Sequence, residues 1–148
     1  MNAGTAVKDD SSPALAQMAQ KKRTILLVED EELVNSLLSE VLQRHGYDVL
    51  SCSHPQTGIE LCRSRPDEID LLLTDMIMPG MNGREMVSRI VAGAPKLRVI
   101  FMSGAGDQVP PPNEEAGASI GFLQKPFSLA ALVGKLEEMF GEDPMPVR

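Results

Sequence analysis

The chain reads as a doubly wound α/β domain, with five short strands alternating with helices around one parallel sheet. Three observations predict this. The runs Ile25-Leu26-Leu27-Val28 and Leu71-Leu72-Leu73 are apolar without alternation, as strands buried on both faces are. Between such runs, apolar residues recur at helical spacing, as in Val34, Leu37, Leu38, Val41 and Leu42. Turn and cap residues separate the two patterns along the chain, which points to βα units.

The elements follow in order. Ile25 to Val28 is the first strand, and Glu29-Asp30-Glu31-Glu32 leads into a helix that Gly46 stops. Tyr47 to Ser51 is the second strand. Pro55 suits the first position of a helix running through Ile59, Leu61 and Cys62. Ile69 to Leu73 is a third strand that ends at Asp75, and Pro79-Gly80 with Asn82-Gly83 marks the loop leaving it. Asn82 and Glu85 resemble a capping box ahead of Met86, Val87, Ile90 and Val91. Leu97 to Met102 and Ile120 to Gln124 supply the fourth and fifth strands. Ser128 then caps a last helix with Leu129, Leu132, Val133, Leu136 and Phe140 on one face.

Right-handed crossovers make the sheet parallel and cover both of its faces. The expected topology is flavodoxin-like, with strand order 2-1-3-4-5 and a crevice beside strands one and three. One stretch breaks the pattern. Gly104, Gly106 and the run Pro110-Pro111-Pro112 lie between the fourth and fifth strands. Prolines remove donors and clash with the preceding turn, so an irregular or shortened fourth helix is expected there.

At 148 residues the chain has room for one domain, expected over 23–141, with a linker-like or disordered tail at 1–22 and a short tail at 142–148. The net charge of −7, from 14 basic and 21 acidic residues, argues against a nucleic-acid-binding surface. No stretch has membrane-spanning length, and the N-terminus lacks a signal peptide's apolar core. Cys52 and Cys62 lack metal or redox spacing and read as packing residues, so a cytoplasmic setting is expected.

The chemistry gathers at the C-terminal strand ends. The first strand delivers Glu29 and Asp30, the third Asp75, the fourth Ser103 and the fifth Lys125. Each has a plain alternative: Asp75 or Ser103 as a turn residue, Asp30 as a favourable charge at a helix start, Lys125 as a solvated charge. Together they describe a site. Three crowded carboxylates repel unless a cation neutralises them, and hard oxygen ligands favour Mg²⁺. Asp75 could then attack phosphorus, with Lys125 and Ser103 stabilising charge on the transferring group.

From Lys22 to about Phe140 the sequence resembles the receiver domain of two-component response regulators. Four segments carry the likeness: Leu27-Val28-Glu29-Asp30-Glu31, Thr74-Asp75-Met76-Ile77-Met78-Pro79-Gly80-Met81-Asn82-Gly83, Phe101-Met102-Ser103-Gly104, and Phe122-Leu123-Gln124-Lys125-Pro126-Phe127. The resemblance implies that Asp75 accepts phosphate from the phosphohistidine of a histidine kinase or phosphotransfer protein. It implies Mg²⁺ ligation by Asp30, Asp75 and the Ile77 backbone carbonyl, with Glu29 assisting through water. It makes Ser103 and Phe122 a switch pair and Lys125-Pro126 a cis peptide.

The same resemblance implies a protein that phosphorylates itself but turns over no independent substrate. It is strongest to the C-terminal receiver of a hybrid sensor histidine kinase, so the chain is expected to be either stand-alone or part of such a kinase. The departures are Glu29 for the commoner aspartate, Gly104 for alanine and Phe122 for tyrosine. The rivals fare less well. An Asp-nucleophile phosphohydrolase normally has a second acid where this chain has Ile77. The acids after the first strand would repel the phosphate of an FMN. A receiver that only binds proteins, without phosphorylation, would not need the acids, Ser103 and Lys125.

Overall fold

The computed structural model describes residues 22–94, 97–104 and 119–141. Within them β1 (Thr24–Val28) is followed by α1 (Glu32–Arg44), β2 (Asp48–Cys52), α2 (Pro55–Ser64) and β3 (Leu71–Asp75). Then come α3 (Gly83–Val91), β4 (Arg98–Ser103), β5 (Ser119–Gln124) and α4 (Leu129–Phe140). The strands lie in the order β2-β1-β3-β4-β5 and every pairing is parallel. This is the expected 2-1-3-4-5 topology. The expected irregular fourth helix falls in 105–118, and the two tails, apart from Lys22, fall in 1–21 and 142–148; all lie outside the described residues.

The unbroken apolar runs split by side-chain parity, as a period of two requires. Leu26, Val28, Leu72, Val99 and Phe101 face one way and pack with Ile59 of α2 and Met86 and Ile90 of α3. Ile25, Leu27, Leu71, Leu73, Ile100 and Met102 face the other way and meet Leu38 and Leu42 of α1 and Leu132, Leu136 and Phe140 of α4. Each fully buried Leu or Ile stabilises the fold by roughly 1.5–3 kcal/mol relative to exposure. Two facing cores thus make the middle of the sheet the rigid part from which the strand ends project.

The helix boundaries follow local chemistry. Asn82 Oδ1 accepts from the Glu85 N–H at 2.8 Å, and Ser128 Oγ accepts from the Ala131 N–H at 3.0 Å. Pro55 opens α2, and Gly46 leaves α1 with φ of 93°. The helix faces differ from expectation in two places. Leu37 belongs to a second stripe with Leu33 and is 58% exposed, while Leu33 is 86% exposed. The buried stripe of α1 is Leu38, Val41 and Leu42, and positions four apart share a face, so Leu33 and Leu37 turn away together. On α4, Leu129 is half exposed in the first turn, and Met139 takes the core place instead.

Candidate functional site

The register of the sheet brings the site residues to one level. Val28 pairs with Thr74, Asp75 with Met102, and Ser103 with Gln124. The residues at or just beyond those positions (Glu29, Asp75, Ser103 and Lys125) therefore share one edge of the sheet. With Asp30, Glu31, Ile77, Met102 and Gly104, three of them line a crevice of about 250 Å³. Glu29, Asp75 and Ser103 are buried, Asp30 and Ile77 are exposed, and Lys125 is half-buried.

Backbone bonds fix this edge. The Glu29 N–H donates to the Cys52 carbonyl at 3.1 Å, the Met76 N–H to Met102 at 2.9 Å and the Lys125 N–H to Ser103 at 2.7 Å. Glu29 Oε2 accepts from the Glu31 N–H at 3.0 Å, which holds the acidic loop around its own carboxylate. Sequence reasoning missed Asn35. From α1 its side-chain amide donates to the carbonyls of Glu29, at 3.1 Å, and Cys52, at 3.0 Å, tying the ends of β1 and β2 together. The one signal was an amide on the helical face next to the apolar stripe.

Charge is out of balance here. Lys125 Nζ lies 2.6 Å from Asp75 Oδ1 and 3.4 Å from Glu29 Oε1, so one ammonium serves two buried carboxylates. It can neutralise one of them; the other needs a proton or a cation. Burial first, then the neighbouring Glu29 carboxylate, raises the Asp75 pKa to about 8 against the opposing pull of Lys125. Partial burial pulls the Lys125 ammonium down, but its bonds to Asp75 and Glu29 outweigh that and leave its pKa raised.

The donor set fits a hard divalent cation. Glu29, Asp30 and Asp75 can each offer an oxygen, and these oxygens lie within 4.8 Å of one another. Asp30 and Ile77, which also line the crevice, are exposed to solvent. Phe122 stacks on Phe101, two residues before Ser103 on β4, at 5.6 Å, and the Lys125–Pro126 peptide is cis. The thiols fit packing roles: burial pushes Cys62 up to about 11 and also raises Cys52, which disfavours the reactive thiolate.

Among the described residues no helix is long and apolar enough to cross a membrane. Residues 25–137 match the family model described as the response regulator receiver domain. The sensor kinase CckA of Brucella abortus (strain 2308) is 34% identical over 116 residues, covering 78% of this chain and 12% of that protein. The response regulator receiver protein CpdR of the same organism is 32% identical over 117 residues, covering 79% and 96%. The chain thus spans a small part of the first relative and nearly all of the second. Among solved structures, the receiver domain from the hybrid histidine kinase CckA superposes with a TM-score of 0.67 at 28% identity, covering 78% of this chain and 97% of that one. The fold, the level row of acids and lysine, and these matches agree: the chain belongs to the response regulator receiver domain family of two-component systems.

Proposed function

We propose that this receiver is a phosphoacceptor in a phosphorelay, taking a phosphoryl group from the phosphohistidine of a histidine kinase or phosphotransfer protein onto Asp75. The observation that carries the reading is the uncompensated pair of buried carboxylates, Glu29 and Asp75, sharing Lys125 at the mouth of an open crevice. A carboxylate so placed can attack an electrophilic phosphorus once a cation offsets the crowded charge.

Asp30, Asp75 and the Ile77 backbone carbonyl would hold Mg²⁺, with Glu29 assisting through water. When bound, that ion neutralises the acids and withdraws charge from phosphoryl oxygens. The chain's own residues do the rest. An Asp75 carboxylate oxygen bonds to phosphorus as the phosphorus–nitrogen bond of the donor breaks, and the leaving imidazole nitrogen takes up a proton. Lys125 shifts its ammonium from Asp75 to a phosphoryl oxygen, and the Ser103 hydroxyl donates to another. Moving Ser103 opens space for the Phe122 ring, so phosphorylation is read as a local repacking. No separate substrate is turned over.

The exposed stripe of Leu33 and Leu37, with exposed Ile77 beside the crevice, supports donor docking over α1 and the loop after β3. The test is transfer from a phosphohistidine protein compared with labelling by acetyl phosphate. Leu33→Glu with Leu37→Glu should slow the first at least about tenfold and leave the second unchanged, the loss expected of two buried apolar anchors. Phosphotransfer in the variant as fast as in the wild type would refute this docking, and no labelling of the wild type by either donor would refute the reading.

A further inference from the structure

The Asp75 peptide is held from three sides, and one of the three is a glycine with no conformational need to be one. Gly46 and Gly80 have positive φ, but Gly83, the first residue of α3, does not. Its backbone is that of an ordinary helix start, where alanine is the better helix former. What excludes a side chain is space. A Cβ on Gly83 would fall inside the van der Waals surface of the Asp75 carbonyl oxygen, and 3.2 Å from both the Asp75 carbonyl carbon and Met76 Cα. All three are backbone atoms, so no side-chain rotation could relieve the contact.

We infer that Gly83 is a positioning residue for the acceptor, letting α3 seat directly against the Asp75 peptide and so fixing the Asp75 carboxylate and the Ile77 carbonyl. This rests on the phosphoacceptor reading above. The seat is a set of short contacts. The Gly83 N–H donates to the Met76 carbonyl at 2.7 Å, which closes the loop from Met76 to Gly83 into a rigid turn. The Thr74 hydroxyl donates to the Asp75 carbonyl at 3.0 Å from the other side. The Met76 N–H is bound to Met102, so β4 holds the third side. Ile77 lies inside this turn, one residue past the clamped peptide. Adding a Cβ at position 83 must push either α3 or the Asp75–Met76 peptide outward. α3 is anchored by buried Met86, Val87 and Ile90, so the loop is the part that gives way.

Two opposed expectations make the test sharp. If helix preference governed, Gly83→Ala would stabilise α3 and leave the site alone. If the seat governs, the variant loses Mg²⁺ affinity by roughly 10–100-fold, the range for residues that orient metal ligands. Its labelling by acetyl phosphate at saturating Mg²⁺ falls by about 100-fold for a displacement near 1 Å. Mg²⁺ affinity is read by NMR titration of the backbone amides, independently of phosphorylation.

Gly134→Ala is the control, since a Cβ there meets nothing within 4 Å. Asn82→Ala weakens the same helix start without touching the seat and should keep Mg²⁺ affinity within about threefold, as no contact near Asp75 changes. Thr74→Val adds no bulk and should lower Mg²⁺ affinity in the same direction as Gly83→Ala; it decides the matter if Gly83→Ala does not fold. The inference is overturned by a folded Gly83→Ala with wild-type Mg²⁺ affinity. It is also overturned by an equal loss in Asn82→Ala, or by an unfolded Gly83→Ala together with an unaffected Thr74→Val. A wild type that binds Mg²⁺ but takes no label counts against the phosphoacceptor reading instead.

Discussion

At the N-terminal ends of the strands, polar groups and charges sit against matched partners. Arg23 and Arg98 lie over the Phe140 ring, at 4.4 and 5.2 Å from its centroid, and Tyr47 stacks on the same ring at 5.8 Å. Arg98 Nε donates to the Met139 carbonyl at 3.1 Å, and the Thr24 N–H donates to the Asp70 carboxylate at 2.8 Å. At the C-terminal ends, two buried carboxylates share one lysine and a third acid stands exposed beside them. The same sheet carries both ends. One spends its polar groups on holding α4 to the strands, while the other keeps like charges close at a cost in stability. That cost supports the reading of this end as a binding site.

The comparison can be broken from either end. The largest effect expected is Phe140→Ala, which empties the ring at the paired end and should cost about 3–5 kcal/mol of unfolding free energy in urea. Mg²⁺ affinity of the folded fraction should be unchanged, because the two ends are separate. Next is Asp75→Asn, which replaces the ionisable carboxyl of the crowded end with a neutral amide. Without metal it should stabilise the protein at neutral pH by about 1–3 kcal/mol, seen as a higher Tm, while abolishing labelling.

The pH dependence follows from the same carboxyl. Its folded pKa of about 8 lies above the ordinary value of 3.8, so the folded protein keeps a proton that the unfolded chain releases. Stability from this group is full below about pH 4 and is lost as pH rises through about 8. Metal-free thermal melts should show Tm falling over that window in the wild type and a flatter profile in Asp75→Asn. The smallest effect is Arg23→Ala, where loss of one cation–π contact should cost about 0.5–1 kcal/mol in the same urea titration.

Much of this was legible in the sequence because it is periodic or punctuated. The strands were visible as unbroken apolar runs, the caps as Asn82 and Ser128, and the site as polar residues placed just after the strand patterns ended. The helix faces were less so. Leu33 and Leu37 are as apolar as Leu38 and Leu42, and only the packing of α1 on the sheet decides which stripe is buried. The contacts of Asn35 and Gly83 were hidden for a different reason. Their roles lie in contacts to backbone atoms of other elements, which leave no pattern along the chain. The imbalance at Glu29 and Asp75 was half legible: the acids were countable, but that Lys125 reaches both is a matter of distance.

Slow loss of phosphate is a further expectation of the crowded end. Exposed Ile77 offers no group to orient a hydrolytic water, so Ile77→Asn should shorten the phosphoprotein's half-life by about tenfold, as positioning effects of this kind do.

The central claim is that Asp75, through its place among Glu29, Asp30 and Lys125, is where phosphate is carried. Intact-mass measurement with peptide mapping after incubation with acetyl phosphate and Mg²⁺ tests it most directly. The account predicts a single acid-labile phosphate on Asp75, absent in Asp75→Ala and absent in excess chelator. Undiminished labelling of Asp75→Ala, or of the wild type in chelator, would contradict it.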